Sequence, residues 1–301
     1  MAHHRGVGKA VPSYQIVKSN MNIPTLEVHN TTRGAVVGEC IYCGSDDGLS
    51  DEHVIPLSLG GNFVLPLASC TKCNAITSAF EGKVAGGFMR DARVVAGLPT
   101  RHRKKRPSHL PIQVNRDGQF EEVKVPADAF PAFVHLPLLS PPGLFEGRSG
   151  VAGVDVQQGF ETIHFGKDPA AVARDLKTDS IRMTVNWDVT SFARLLAKAA
   201  YGFAVGSLGK IPRDEVPILP LILGNADDAS VWLGTVAFTL AIEEKRPMYS
   251  GRFDWVEDPE RPGCPLLFTR LKLFANSGAT GYGVVVWRPV RPDPRVPKRP
   301  A

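Results

Sequence analysis

The sequence predicts an α+β fold in which a small cysteine-anchored module lies ahead of a larger mixed region. Two CxxC pairs bracket one short segment near the N-terminus, namely Cys40/Cys43 and Cys70/Cys73. The residues between and after these pairs have the pattern of a strand, a Gly60-Gly61 turn, a second strand and a helix. Beyond residue 150, alternating stretches such as Phe160–Phe165 occur together with a long helical pattern over Ser191–Val205. These observations indicate a ββα module and a C-terminal α+β region of unknown fold.

The overall composition is that of a globular chain. Of the 301 residues, 43% are hydrophobic and 22% are charged, which supports a packed core. The N-terminal residues contain no apolar run, and the longest apolar stretch, Val216–Leu223, is interrupted by Pro217 and Pro220. The sequence therefore predicts neither a signal peptide nor a membrane span, and the expected location is cytoplasmic. The net charge of +5 is a weak indication of a polyanionic partner.

Changes of composition along the chain predict four segments. They are an N-terminal lead (1–38), the module with a following helix (39–98), a basic and Pro-rich connecting region (99–150) and the C-terminal α+β region (151–301). Within the connecting region, Ile112–Val114 and Phe120–Val125 are predicted to form a strand pair, whereas residues 126–150 have the Pro and Gly content of a linker. Leu266–Phe274 and Gly281–Trp287 are predicted strands near the C-terminus.

The four cysteines predict a structural zinc site. A CxxC pair places two thiolates on one tight turn, which supplies half of a tetrahedral zinc site. In a reducing compartment such pairs are metal ligands more often than disulfides. Because Cys40, Cys43, Cys70 and Cys73 fill all four positions, the zinc would hold the fold and leave no position for substrate. Free thiols, redox pairs and another metal are the alternatives.

A second group of side chains, around His53, suits phosphodiester hydrolysis. That reaction needs a base for water, a cation near the leaving oxygen and a grip on the backbone. The unperturbed pKa of a histidine side chain is ~6.5, so His53 can act as the base, while Glu52 and Asn74 offer oxygen ligands to a hard cation such as Mg²⁺. Glu81 follows Asn74 by two helical turns, on the same face. Neighbours in a regular strand point to opposite faces, so Glu52 and His53 share a site only where the backbone is irregular.

From Glu39 to Glu81 the chain resembles the HNH endonuclease family, whose fold is the ββα-metal motif. The resemblance rests on four motifs: Cys40-Ile41-Tyr42-Cys43, Glu52-His53-Val54-Ile55-Pro56, Gly60-Gly61 and Cys70-Thr71-Lys72-Cys73-Asn74. It implies an endonuclease that cleaves DNA, with His53 as the general base. It also implies that Glu52 and Asn74 hold a catalytic divalent cation, Mg²⁺ or another, in addition to the structural zinc.

The sequence departs from the family pattern at one position. Where the family has its middle Asn, this chain has Leu65-Pro66, and Asn62 is the nearest substitute. By the same resemblance, Glu81 would be a supporting group or an extra ligand.

Each candidate also has a purely structural interpretation. In that interpretation His53 is a hydrogen-bonded core histidine, Glu52 a surface carboxylate, Asn74 a helix cap, Asn62 a turn residue and Glu81 part of a solvated helix face. The alternative function is then a non-enzymatic zinc-containing module that binds nucleic acid. Convergence of His53, Glu52 and Asn74 within coordination distance of one another distinguishes the two. A third interpretation makes the C-terminal region the active part, but residues 126–301 contain no recognisable catalytic grouping.

A basic run follows the module. Its members are Arg101, Arg103, Lys104, Lys105 and Arg106. Such a run is usually a solvated stretch, but its position after the predicted nuclease helix favours contact with phosphate. The predicted partner is therefore nucleic acid, specifically DNA, and no membrane is expected.

Overall fold

The computed structural model describes residues 26–27, 32–100, 103–148, 152–236, 249–275 and 279–297. The strands among them are β1 (Leu26–Glu27), β2 (Thr32–Arg33), β3 (Leu49–His53), β4 (Phe63–Cys70), β5 (His109–Arg116), β6 (Gln119–Pro126), β7 (Pro131–Leu139), β8 (Val156–Gly166), β9 (Ile181–Arg182), β10 (Leu233–Val236), β11 (Tyr249–Glu257), β12 (Pro265–Leu273) and β13 (Gly281–Trp287). The helices are α1 (Thr71–Gly86), α2 (Arg90–Val95), α3 (Pro169–Asp175), α4 (Val189–Leu208), α5 (Leu219–Leu223) and α6 (Ala229–Trp232). The predicted α+β class is confirmed.

The module is a β-hairpin followed by a helix, in the predicted order. β3 pairs antiparallel with β4, with Leu49 opposite Cys70 and His53 opposite Val64. α1 begins directly after β4 because the Cys70 side chain caps it by accepting a hydrogen bond from the amide of Cys73. β2 lies on the other side of β4 and runs parallel to it. One cysteine pair therefore lies where the hairpin meets the helix.

The hairpin is irregular next to His53. The register shifts between Ser50 and Glu52, so residues 66–68 of β4 bulge opposite Asp51. Leu67, at the centre of the bulge, has a φ of 49°, and its amide donates to the Asp51 carboxylate. A bulge increases the local twist and re-aims side chains. The backbone therefore has the irregularity that a site shared by two adjacent strand residues requires.

The rest of the described chain contains three further sheets. One has the order β1-β11-β12-β13-β10, a second has the order β6-β5-β9, and β7 pairs with β8 alone. β5 and β6 confirm the strand pair predicted in the connecting region, since Ile112 lies opposite Val123. The two strands predicted near the C-terminus are confirmed as the antiparallel pair β12 and β13.

The Pro-rich segment after residue 126 differs from the linker that its composition predicts. It contains β7, whose pairing with β8 runs from Pro131 opposite Gly166 to Leu139 opposite Val156. Pro131 is the first residue of the strand, and Pro137 lies at a shift of register. Proline is tolerated at both kinds of position, so a high Pro content did not exclude a strand here.

Helix α4 connects the module to the largest sheet. The Phe203 ring stacks on Phe63 of the hairpin at a centroid distance of 6.0 Å, and the Phe192 ring meets the edge of Tyr282 in β13 at 5.4 Å. The Tyr201 hydroxyl donates a hydrogen bond of 2.8 Å to the carbonyl of a residue between the first two cysteines. A single hydrophobic core includes residues of the module, of α4 and of the large sheet. Neither α4 nor any other described helix has the length and hydropathy that a membrane span requires.

Candidate active site and zinc centre

The four predicted zinc ligands lie together. Cys40 and Cys43 belong to the turn before β3, and Cys70 and Cys73 to the β4–α1 junction. All four Sγ atoms lie within 4.8 Å of one another, and those of Cys43 and Cys70 are 3.6 Å apart. Sulfur ligands ~2.3 Å from a tetrahedral zinc are about 3.8 Å apart, so this spacing fits. The cysteines are placed to hold a metal, and a set of four thiols suggests zinc.

The surroundings of Cys70 favour its thiolate, which is the form that binds metal. Burial alone would raise its pKa, but hydrogen bonds from the Cys73 amide and from neighbouring thiols outweigh burial and lower the pKa of Cys70 to about 7. Burial instead raises the pKa of Cys40 and of Cys73. The fifth cysteine, Cys264, is exposed and does not belong to the cluster.

A cleft of about 280 Å³ lies between the hairpin and α1, and we call it the His53 cleft. Strand β3 contributes Glu52 and His53 to its lining, and α1 contributes Asn74 and Glu81. His53, Glu52 and Asn74 therefore line one cavity. Its remaining lining residues are Asp51, Pro56, Leu57, Ser58, Thr77, Ser78, Gly82 and Thr100.

The two glutamates of the cleft share a buried ion pair with Lys198 of α4. The Lys198 ammonium nitrogen lies 2.6 Å from Oε1 of Glu52 and 2.5 Å from Oε1 of Glu81. It also donates to the backbone carbonyl of His53. Burial opposes the charged form of the lysine, but the two carboxylates outweigh it and raise the pKa of Lys198. Glu52 is therefore no surface carboxylate: it is 4% exposed and paired.

Asn74 is held by two hydroxyl groups, one from β3 and one from its own helix α1. Its amide nitrogen donates to Ser50 Oγ at 3.2 Å, and its Oδ1 accepts from Ser78 Oγ at 3.0 Å. Cys70 caps α1, so Asn74 does not have the capping role that was the alternative. These bonds fix the orientation of the amide and leave its oxygen on the side of Ser78.

Asn62 does not join the other candidates. It is absent from the lining of the His53 cleft, and its backbone carbonyl accepts a hydrogen bond from the Thr32 amide at 3.0 Å. Its position directly before β4 is that of a residue at the hairpin turn. Asp51, by contrast, lines the cleft, but Arg33 lies 2.7 Å from its carboxylate and lowers the pKa of Asp51 by hydrogen bonding.

The basic run follows a residue of the cleft in the chain. Thr100 lines the cleft, and a 3₁₀ turn over Arg103–Lys105 follows shortly after it. Lys104 and Lys105 are exposed, whereas Arg106 donates to the carbonyl of Leu98. Arg101 lies outside the described residues. Two exposed lysine side chains thus follow the cleft residue Thr100 by four and five positions in the chain.

The donor atoms of the cleft fit a hydrated hard cation. Glu52, Glu81 and Asn74 present oxygen atoms, which are the ligands that Mg²⁺ prefers. Among the residues that the structure describes, only the cysteines form a group of three or more His, Cys, Asp or Glu ligand atoms close enough to share one ion. Mg²⁺ usually keeps several waters and uses one or two carboxylates. The cleft therefore suits one such ion and offers no all-protein cage.

Sequence reasoning missed Lys198. The helical pattern over Ser191–Val205 is typical of a core helix, and α4 is buried along most of its length. The available signal was a single lysine among apolar residues, in the stretch Leu195-Leu196-Ala197-Lys198-Ala199-Ala200. A lysine is almost never fully buried unless it is paired, so that pattern predicts acidic partners from another element.

Comparison with known proteins identifies the segment that carries the site. Residues 40–80 match the family model described as HNH endonuclease. The match and the cysteine cluster together confirm the resemblance that the sequence motifs indicate. No curated protein and no solved structure matches the chain.

Proposed function

We propose, from the HNH endonuclease segment at residues 40–80, that this chain is a metal-dependent endonuclease that hydrolyses phosphodiester bonds in DNA. The observation that supports this most strongly is the His53 cleft itself. A histidine, a carboxylate and an amide from separate parts of the segment line a cavity of about 280 Å³. That cavity is large enough for a phosphate group together with water.

His53 is the general base in this proposal. It is half-buried at the end of β3, and its backbone carbonyl is fixed by Lys198. An imidazole with a pKa near ~6.5 can accept a proton from water at neutral pH. The water oxygen attacks phosphorus and His53 takes one proton from that water. The P–O3′ bond breaks, and the 3′ oxygen takes up a proton from solvent. The products are a 5′-phosphate end and a 3′-hydroxyl end.

Glu52 and Asn74 would hold the catalytic cation, through a carboxylate oxygen and an amide oxygen. A divalent ion such as Mg²⁺, when bound, stabilises the negative charge that develops on the leaving oxygen.

Lys104 and Lys105 would contact the DNA backbone, because they are exposed on the turn that follows the cleft residue Thr100 in the chain. Such contacts make binding depend on salt concentration.

One observation favours a second function. The Glu52 carboxylate is already paired with Lys198, and a paired carboxylate is a poorer ligand than a free one. The alternative is therefore a zinc-containing module that binds nucleic acid without cleaving it. The two functions differ in one measurable respect, because only the first converts DNA into shorter products.

The test is a cleavage assay with plasmid, linear duplex and single-stranded DNA, in the presence of Mg²⁺, of Mn²⁺ or of neither. We expect cleavage that needs a divalent cation, and a loss of about 10²- to 10⁴-fold in rate for His53→Ala with zinc content and fold unchanged. His109→Ala is the matched control, because His109 is exposed and lies outside the cleft. DNA binding without cleavage by the unaltered protein, under every metal condition, would support the alternative instead.

A further inference from the structure

Lys198 brings a charge from the C-terminal half of the chain into the His53 cleft. Its side chain is 1% exposed, and its ammonium group contacts Glu52, Glu81 and the His53 carbonyl. A lysine ammonium has three N–H donors, and here three acceptors surround it. The two carboxylates and the carbonyl belong to two different elements of the module, β3 and α1. The lysine is therefore the common partner of both walls of the cleft.

Stability alone is a poor reason for this arrangement. Removing an ammonium and two carboxylates from water costs several kcal/mol per ion, and an apolar side chain of similar volume often serves as well or better. The neighbours of Lys198 on α4 are apolar and buried, so an apolar residue would suit its surroundings on that helix. A paired lysine at this place is better explained by what it does to its three partners.

Lys198 is too deeply buried to touch DNA. The groups that face the cleft are its partners, and they are fixed through it. The ammonium keeps two like-charged carboxylates near one point, where they would otherwise repel each other. It also fixes the backbone of His53 at the last residue of β3. Misplacement of a reacting group by about 1 Å can cost roughly 100-fold in rate.

We propose that Lys198 is the positioning residue of the His53 cleft, whose buried ammonium holds Glu52, Glu81 and the His53 backbone in the arrangement that cleavage needs. This inference rests on the proposed nuclease function. It makes α4 part of the active site, although α4 lies outside the segment that matches the HNH endonuclease family. It also explains why the module shares one core with the C-terminal region.

The test is Lys198→Met in the full chain, which keeps the length of the side chain and removes its charge. We expect kcat to fall by about 100-fold while KM for DNA stays within about threefold, because Lys198 does not contact substrate. The second readout is the set of ring signals of His53 in protein labelled with ¹⁵N-histidine, with zinc bound and no other divalent cation added. We expect the His53 signals to shift or broaden, and His53→Ala identifies them.

Lys210→Met is the matched control. Lys210 follows the end of α4, its side chain is 66% exposed, and its partner Glu39 lies outside the cleft. We expect it to leave kcat and the His53 signals unchanged. A folded Lys198→Met protein with wild-type kcat and unshifted His53 signals would overturn the positioning role, while the nuclease function would stand.

Two further cases have a defined test, namely that the unaltered protein does not cleave DNA and that Lys198→Met does not fold. The ring signals are recorded without DNA, so they test the positioning role even where the unaltered protein cleaves nothing and the nuclease proposal fails. If Lys198→Met does not fold, Glu81→Gln is tested in its place. This substitution removes one of the two carboxylate charges that pair with the ammonium, and Glu81 lies on the partly exposed side of the cleft. Unchanged His53 ring signals in Glu81→Gln would then overturn the proposal.

Discussion

Two of the buried charged residues, Lys198 and Asp258, join elements that are distant in sequence. Lys198 joins α4 to β3 and α1, and Asp258 joins the end of β11 to the segment after β13. In both cases each buried charge faces opposite charges and hydrogen-bond partners, which is the condition for tolerating it in the interior. The difference is that the Lys198 cluster lines a cleft, whereas Asp258 is fully enclosed.

Asp258 gives a prediction about stability and pH. Its side chain is 0% exposed, and its oxygens accept hydrogen bonds of 2.9 Å from Arg288 and of 2.7 Å from Arg261. Burial would raise its pKa, but these arginines outweigh burial and lower the pKa of Asp258 below its ordinary value. A carboxyl group whose pKa is lowered by folding stabilises the fold above its unfolded pKa of ~3.9, and the effect is lost as the pH falls through the folded pKa.

We therefore expect Asp258→Asn to lower the free energy of unfolding by roughly 1–3 kcal/mol at pH 7, because it removes a buried carboxylate that accepts hydrogen bonds from two partly buried arginines. The difference from the unaltered protein should shrink as the pH falls below ~4, because the carboxyl takes up a proton in the unfolded chain while the folded carboxyl, with its lowered pKa, is still ionised. Urea unfolding at several pH values measures both quantities. A difference that stayed constant down to pH ~3 would contradict the assigned ion pairs.

At the scale of elements, the close approach of α4 to the hairpin depends on glycine. A Cβ atom at Gly206 would lie 2.6 Å from Cε1 of Phe63, which is closer than real contacts allow. The Phe63 ring is buried and stacked on Phe203, so it has little room to move aside. Gly202 lies at a similar contact, with Cγ2 of Val54 only 3.1 Å from its would-be Cβ. This face of α4 is thus shaped to let the helix reach the module and place Lys198 in it.

We expect Gly206→Ala to destabilise the protein by about 1–3 kcal/mol through overpacking, even though alanine is the better helix former by about 1 kcal/mol. Gly82→Ala in α1 is the matched control, because nothing lies within 4 Å of its would-be Cβ. That control should raise stability by about 0.5–1 kcal/mol. Thermal unfolding shows whether each variant is more or less stable than the unaltered protein. A stabilising effect of Gly206→Ala would show that α4 does not approach the hairpin this closely.

The sequence was sufficient to predict those parts of the site whose residues lie close together in the chain. The CxxC spacing, the Gly60-Gly61 turn and the order of strands and helix predicted the module, because these features depend on neighbours within a few residues. The partnership of Lys198 with Glu52 joins residues that are far apart in the sequence, and nothing in the spacing of either residue indicates it. β7 was missed for a related reason, since its pairing with β8 overrides what its prolines suggest.

At the scale of the whole molecule, the cysteine cluster and the large sheet are parts of one packed body. The hydrophobic core includes Cys40, Cys70 and Cys73 as well as Phe192 in α4 and Trp287 in β13. Loss of the metal should therefore weaken more than the module. A structural zinc in comparable small domains contributes on the order of 10 kcal/mol to folding.

We expect about one zinc per chain by elemental analysis, and a lower melting temperature in a single transition after zinc is removed by a chelator. Cys43→Ser should have the same effect, while Cys264→Ser should change neither zinc content nor melting temperature. Both cysteines are exposed, but only Cys43 belongs to the cluster. Two separate transitions, of which only one responds to the chelator, would mean that the module and the C-terminal region unfold independently.

Chemical rescue of the His53→Ala variant tests most directly whether His53 is the general base. Cleavage of supercoiled plasmid is followed for that variant in Mn²⁺, with and without added imidazole. If His53 is the base in the cleft, the variant loses cleavage, and imidazole restores part of the rate by entering the space that the side chain leaves. Cleavage by His53→Ala at the rate of the unaltered protein, without imidazole, would mean that His53 is not the base.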